Sequence, residues 1–64
     1  MKQLRWILVV TQRGSGQGVE RRRFPSLDRA KRYAEKYIAT RGGQNFAVRI
    51  FDGGHDDMLV FSVG

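Results

Sequence analysis

The chain has one histidine, His55, and it stands among Asp52, Asp56 and Asp57. This is where acid–base or metal chemistry would have to gather. Asp52-Gly53-Gly54 opens the stretch, and that composition belongs to a tight exposed turn between two apolar runs. Such a turn brings neither further ligands nor a pocket, so the cluster reads as solubilising. Gly14-Ser15-Gly16-Gln17-Gly18 has the glycine content of a phosphate loop. A phosphate loop leads from a strand into a helix N-terminus, usually with a lysine; here a second strand pattern follows. We read it as a hairpin tip, with Arg13 beside it as a finger that orders on binding. Cysteine is absent, which excludes disulfides, thiolate zinc sites and cysteine nucleophiles. No Ser/His/Asp set, paired-carboxylate cleft or cofactor fingerprint emerges, and the expectation is a protein without catalytic residues, metal or cofactor.

The chemistry the chain does carry is cationic. Twelve Lys and Arg oppose six Asp and Glu over 64 residues, a formal net charge of +6, and nine of the twelve are arginine. Arginine suits bidentate contact with phosphate or carboxylate. Residues 20–41 alone hold eight basic and three acidic side chains. The candidate contact residues are Arg5, Arg13, Arg21, Arg22, Arg23, Arg29, Lys31, Arg32, Lys36 and Arg49, with Phe51 as a stacking surface. The competing reading is an edge strand and a helix face kept soluble by charge. Alternation along a strand also sets Arg22 on the face opposite Arg21 and Arg23, so the run is not one patch by itself.

These side chains need elements to position them. Leu27, Ala30, Ala34, Tyr37 and Ile38 recur at spacings of three and four and predict a helix with one apolar stripe, Tyr33 at its margin. Ser26 is its natural N-cap, Asp28 and Arg41 complement the two ends of its dipole, and Gly42 stops it in a left-handed conformation. Arg29, Arg32 and Lys36 then lie opposite the stripe. Strands are predicted over residues 4–11, 19–24, 46–52 and 58–63. In the first, Leu4, Trp6, Leu8 and Val10 share one face, and Arg5, Ile7, Val9 and Thr11 the other. In the third, Phe46, Val48 and Ile50 oppose Ala47, Arg49 and Phe51. The second strand, Val19-Glu20-Arg21-Arg22-Arg23-Phe24, has the polarity of a sheet edge.

Two hairpins joined by a crossing helix predict a single α+β domain in two layers. The order is ββαββ, with a four-stranded antiparallel sheet arranged 2-1-3-4 and one helix on one face. The other face stays open, carrying Arg5, Arg49, Phe51 and some of the second-strand arginines, with Ile7 and Val9 exposed among them. Such a face binds a partner or pairs with a second copy of the chain. The start of the chain has charge before an apolar run, as a signal peptide does. That run is short and β-branched, with no small-residue cleavage site after it. We therefore expect a strand there, a cytoplasmic location and no membrane association.

Ser26-Leu27-x-x-Ala30-Lys31-Arg32-x-Ala34, a glycine break, Val48-Arg49-Ile50 and a closing strand at Leu59 resemble the small anti-CRISPR proteins of type I-F systems. The resemblance spans residues 26–61 and the strand–strand–helix–strand–strand order. It implies a phage-type inhibitor that binds a host Cas surveillance complex and blocks its nucleic-acid recognition, with Lys31 and Arg32 as contacts. The expectations are therefore such an inhibitor, a direct DNA- or RNA-binding regulator using the same arginines, or a homodimerising module.

Overall fold

The computed structural model describes residues 4–64. Strand β1 (Trp6–Gln12) runs into β2 (Gly18–Phe24), followed by helix α1 (Leu27–Arg41), β3 (Phe46–Asp52) and β4 (Met58–Val63). The sheet order is β2-β1-β3-β4 and every pairing is antiparallel, with α1 packed on one face. The fold is the α+β arrangement expected from the sequence. Met1, Lys2 and Gln3, the charged start of the first apolar run, lie outside the described residues.

Helix α1 begins where Ser26 caps it: the Ser26 hydroxyl accepts from the Arg29 backbone N–H at 3.3 Å. Ala30, Ala34 and Tyr37 are its buried stripe. The two alanines have no bulk beyond Cβ, so the helix can settle close onto the sheet. Beneath it Leu8, Val10, Val48 and Ile50 are fully buried. Each such side chain contributes about 1.5–3 kcal/mol by leaving water. Four rings wrap one flank of this core: Phe24 to Tyr33 at 5.4 Å, Tyr33 to Tyr37 at 6.3 Å, and Tyr37 to Phe46 edge-on at 5.7 Å.

The register assigns each side chain to a face. Under the helix, Arg22, Leu8, Ile50 and Phe61 form one row across the sheet, and Glu20, Val10, Val48 and Val63 the next. On the outer face the rows are Arg21, Val9, Arg49, Ser62 and Arg23, Ile7, Phe51, Leu59. Each edge strand also carries one bulge, with Val19 the extra residue in β2 and Val60 in β4.

Three expectations are corrected. Ile7 is buried rather than exposed, at 5% of its surface, while Val9 and Phe51 are half-buried. The turn after β3 curls back over Ile7. A Cβ on Gly53 would stand 3.1 Å from Ile7 Cδ1 and 2.8 Å from the Arg5 carbonyl oxygen, so only glycine fits there. The first strand starts at Trp6 rather than residue 4 because Trp6 meets the last ladder residues on both sides, Phe24 and Asp52. Beyond them the neighbours leave the sheet, one at Pro25 and the other at Gly53. Gly42 ends the helix with positive φ as expected, but at φ 94°, ψ 123° it lies outside the left-handed helical region. Its N–H still donates to the Ile38 carbonyl at 2.8 Å.

Candidate nucleic-acid interface

The outer face of the sheet gathers four of the predicted contact residues. Arg21 and Arg23 come from β2, Arg49 and Phe51 from β3, and the central strand supplies Ile7 and Val9 between them. Strands lie about 4.8 Å apart, so Arg21 and Arg49 flank Val9 with backbones roughly 10 Å from each other. All three arginines are exposed and, among the described residues, none has a carboxylate within ion-pair distance. Ile7, Val9, Phe51 and Arg21 line a shallow cleft of about 260 Å³, which Asp57 closes at one side. The result is an apolar floor with guanidinium groups around it. Such a surface accepts a flat ring on the floor and an anion at its border.

Arg22 is turned the other way. It stands on the helix-covered side beside Glu20, to which its Nε donates, and its guanidinium lies 5.1 Å from the centroid of the Tyr33 ring. The Tyr33 hydroxyl donates to the same Glu20 carboxylate. The Tyr33 hydrogen bond, then that of Arg22, lowers the Glu20 pKa below its usual 4.5; the same contact raises that of Tyr33. Arg22 thus ties the β2 edge to α1.

Arg5 is likewise paired with an acid of its own chain. Its Nε donates to Asp52 Oδ1 at 2.6 Å and its Nη2 to Oδ2 at 2.8 Å, a bidentate fork. Asp52, only 6% exposed, also accepts from the Gly54 N–H at 2.9 Å. The Arg5 fork holds the carboxyl below the usual carboxylate range. So Asp52 is no solubilising turn residue: it clamps the turn to the start of β1. His55, Asp56 and Asp57 are exposed, and among the described residues no three His, Asp or Glu side chains converge as metal ligands.

The remaining predicted contacts are dispersed. Arg29, Arg32 and Lys36 are exposed on α1, the layer opposite the outer sheet face. Lys31 is half-buried, its ammonium 5.4 Å from the centroid of Phe61. Arg13 is exposed beside the β1–β2 turn, where its backbone N–H donates to the Asn45 carbonyl at 2.8 Å. The basic set is therefore two surfaces, one on each layer, with Arg5, Arg22 and Lys31 drawn into internal contacts.

No family model, curated protein or solved structure matches the chain significantly. Sequence reasoning passed over Glu20, Tyr33 and Asp52 as partners. Glu20 and Arg22 were detectable, since a spacing of two puts them on one strand face. Asp52 was not, because its partner is 47 residues away. Among the described residues no helix is long and apolar enough to cross a membrane.

Proposed function

We propose that this chain is a non-enzymatic binding protein that holds single-stranded nucleic acid on the outer face of its sheet. The observation that carries the reading is the two register rows Arg21–Val9–Arg49 and Arg23–Ile7–Phe51, which place an apolar floor among three arginines that form no ion pair among the described residues. Phosphates take the arginines while an unstacked base lies against Phe51 and Val9. Helix α1 packs on the opposite face, so among the described residues no helix stands on this face to enter a duplex groove.

The test is anisotropy with labelled single-stranded oligonucleotides. Three phosphate contacts give a slope of about −2 for log affinity against log salt. Arg21→Glu/Arg23→Glu/Arg49→Glu should abolish binding, and Arg29→Glu/Arg32→Glu/Lys36→Glu should leave most of it. Undetectable binding of the wild type at low salt rejects the reading, and the reverse pattern of variants moves the site to α1.

A second reading is favoured by that exposed helix face: inhibition of a CRISPR surveillance complex, as the resemblance of residues 26–61 implies. Since Lys31 is packed over Phe61, Arg32 and Lys36 would carry the contact. Capture of a purified type I-F complex by the wild type, weakened by Arg32→Glu/Lys36→Glu, supports it. No capture rejects it.

A further inference from the structure

We infer that the β4 edge is a self-pairing surface, and that two copies of the chain join there, antiparallel, into one continuous eight-stranded sheet. Among the described residues β4 pairs on one side only, with β3, so alternate N–H and C=O groups along its free side have no strand partner there. A free edge is normally blunted by charge or proline. Here the segment Met58-Leu59-Val60-Phe61-Ser62-Val63 contains neither. Met58, Leu59 and Val60 are 50%, 51% and 37% exposed. The other edge, β2, carries Glu20 and three arginines and is defended. The bulge at Val60 is the one irregularity of the β4 edge, and it leaves that side chain in solvent.

Charge selects the occupant. A chain of net charge +6 repels its copies over most of its surface, and Asp56 and Asp57 stand immediately before β4. At the far end of β4, Ser62 lies beside Arg49, and Gly64 lines a cleft with Arg13 and Arg49. Full antiparallel overlap of Met58–Val63 with its copy sets Met58 opposite the second copy's Val63. Asp57 then arrives at the end of the second copy that holds Arg49 and Arg13, and the reverse holds by symmetry. A parallel pairing would instead oppose acid to acid. The two-fold axis stands perpendicular to the sheet, so both helices lie on one side and both outer faces join on the other. The inference is independent of what the outer face binds.

Because the chain has no cysteine, single-cysteine variants report the pairing directly. Sedimentation of the full chain from micromolar to millimolar concentration should show a species of twice 7.3 kDa. Val60→Cys, near the axis, should oxidise to a disulfide-linked dimer; Val19→Cys, as exposed on the β2 edge, should not. Leu59→Lys should weaken dimerisation about tenfold or more with its circular dichroism unchanged. Should that variant misfold, Asp57→Asn, which keeps a residue tolerant of positive φ, should weaken it several-fold. A monomer throughout the concentration range, or equal crosslinking at Val60→Cys and Val19→Cys, overturns the inference.

Discussion

Arg21 and Arg22 are neighbours in sequence and differ in what surrounds them. Arg22 belongs to the helix side, where Glu20 pairs with it and its guanidinium stands over the Tyr33 ring, although the side chain stays exposed. Arg21 belongs to the open face, beside half-buried Val9 and, among the described residues, with no carboxylate within ion-pair distance. The same alternation separates Leu8, fully buried, from Val9. A two-layer domain of this size has one sheet face covered by its helix and one left without a covering layer. A residue's contribution depends on which face it joins more than on its type.

That contrast is broken most severely from the dry side. Leu8→Ala should cost about 3 kcal/mol by lost burial and a cavity. A domain of this length has roughly 3–9 kcal/mol in all by size scaling, so much of the population should unfold on mild denaturation. Val9→Ala should cost under about 1 kcal/mol in the same urea titration, because its side chain is only half-buried. Equal losses would mean that the outer face is also core.

A smaller effect separates the two kinds of arginine. Glu20→Ala should destabilise by about 0.5–1 kcal/mol, since it removes the acceptor shared by Tyr33 and Arg22. Arg22→Ala should destabilise in the same direction. Arg21→Ala should leave the urea midpoint in place and weaken oligonucleotide binding, and a shift in that midpoint would contradict the division.

Acid probes the same division. The folded-state pKa values of Asp52 and Glu20 lie below the usual 3.8 and 4.5. Each carboxylate therefore contributes stability above its unfolded value and loses it as the pH falls through its lower folded one. Stability should decline below about pH 4.5. Asp52→Asn should flatten that decline while lowering stability at neutral pH, as Arg5 is left unpaired.

The smallest effect is a gain. Asp56 and Asp57 have φ of 52° and 53°, and the Met58 N–H donates to the His55 carbonyl at 3.1 Å, which makes a type I′ turn. Glycine at its second central position removes the cost of a left-handed side chain. Asp57→Gly should stabilise the dilute protein by about 0.5 kcal/mol in thermal melts.

Much of the fold was legible in the sequence because local rules govern it. Ser26, the apolar stripe and Gly42 delimited α1, since a cap, a period and a breaker all act within a few residues. Alternation in Trp6–Val10 and Phe46–Ile50 separated core from outer face, and the charge of β2 marked it as an edge. The candidate site was legible in composition and illegible in partition. Eleven residues were candidates, and the outer face unites four of them, Arg21, Arg23, Arg49 and Phe51. Arg5 and Arg22 could not be set aside in advance, because their carboxylates are chosen by strand register and by the return of a distant turn.

The amino-acid sequence by itself determined the element order, the two-layer arrangement, the absence of cysteine chemistry and the excess of arginine. These follow from the spacing and type of near neighbours in the chain. Only the tertiary structure decided which arginines form ion pairs, that Ile7 is covered, and that β4 is the apolar edge of the sheet. Those outcomes depend on which strands lie side by side and on where turns fold back. They are energies of contact between residues far apart in sequence, and no local pattern encodes them.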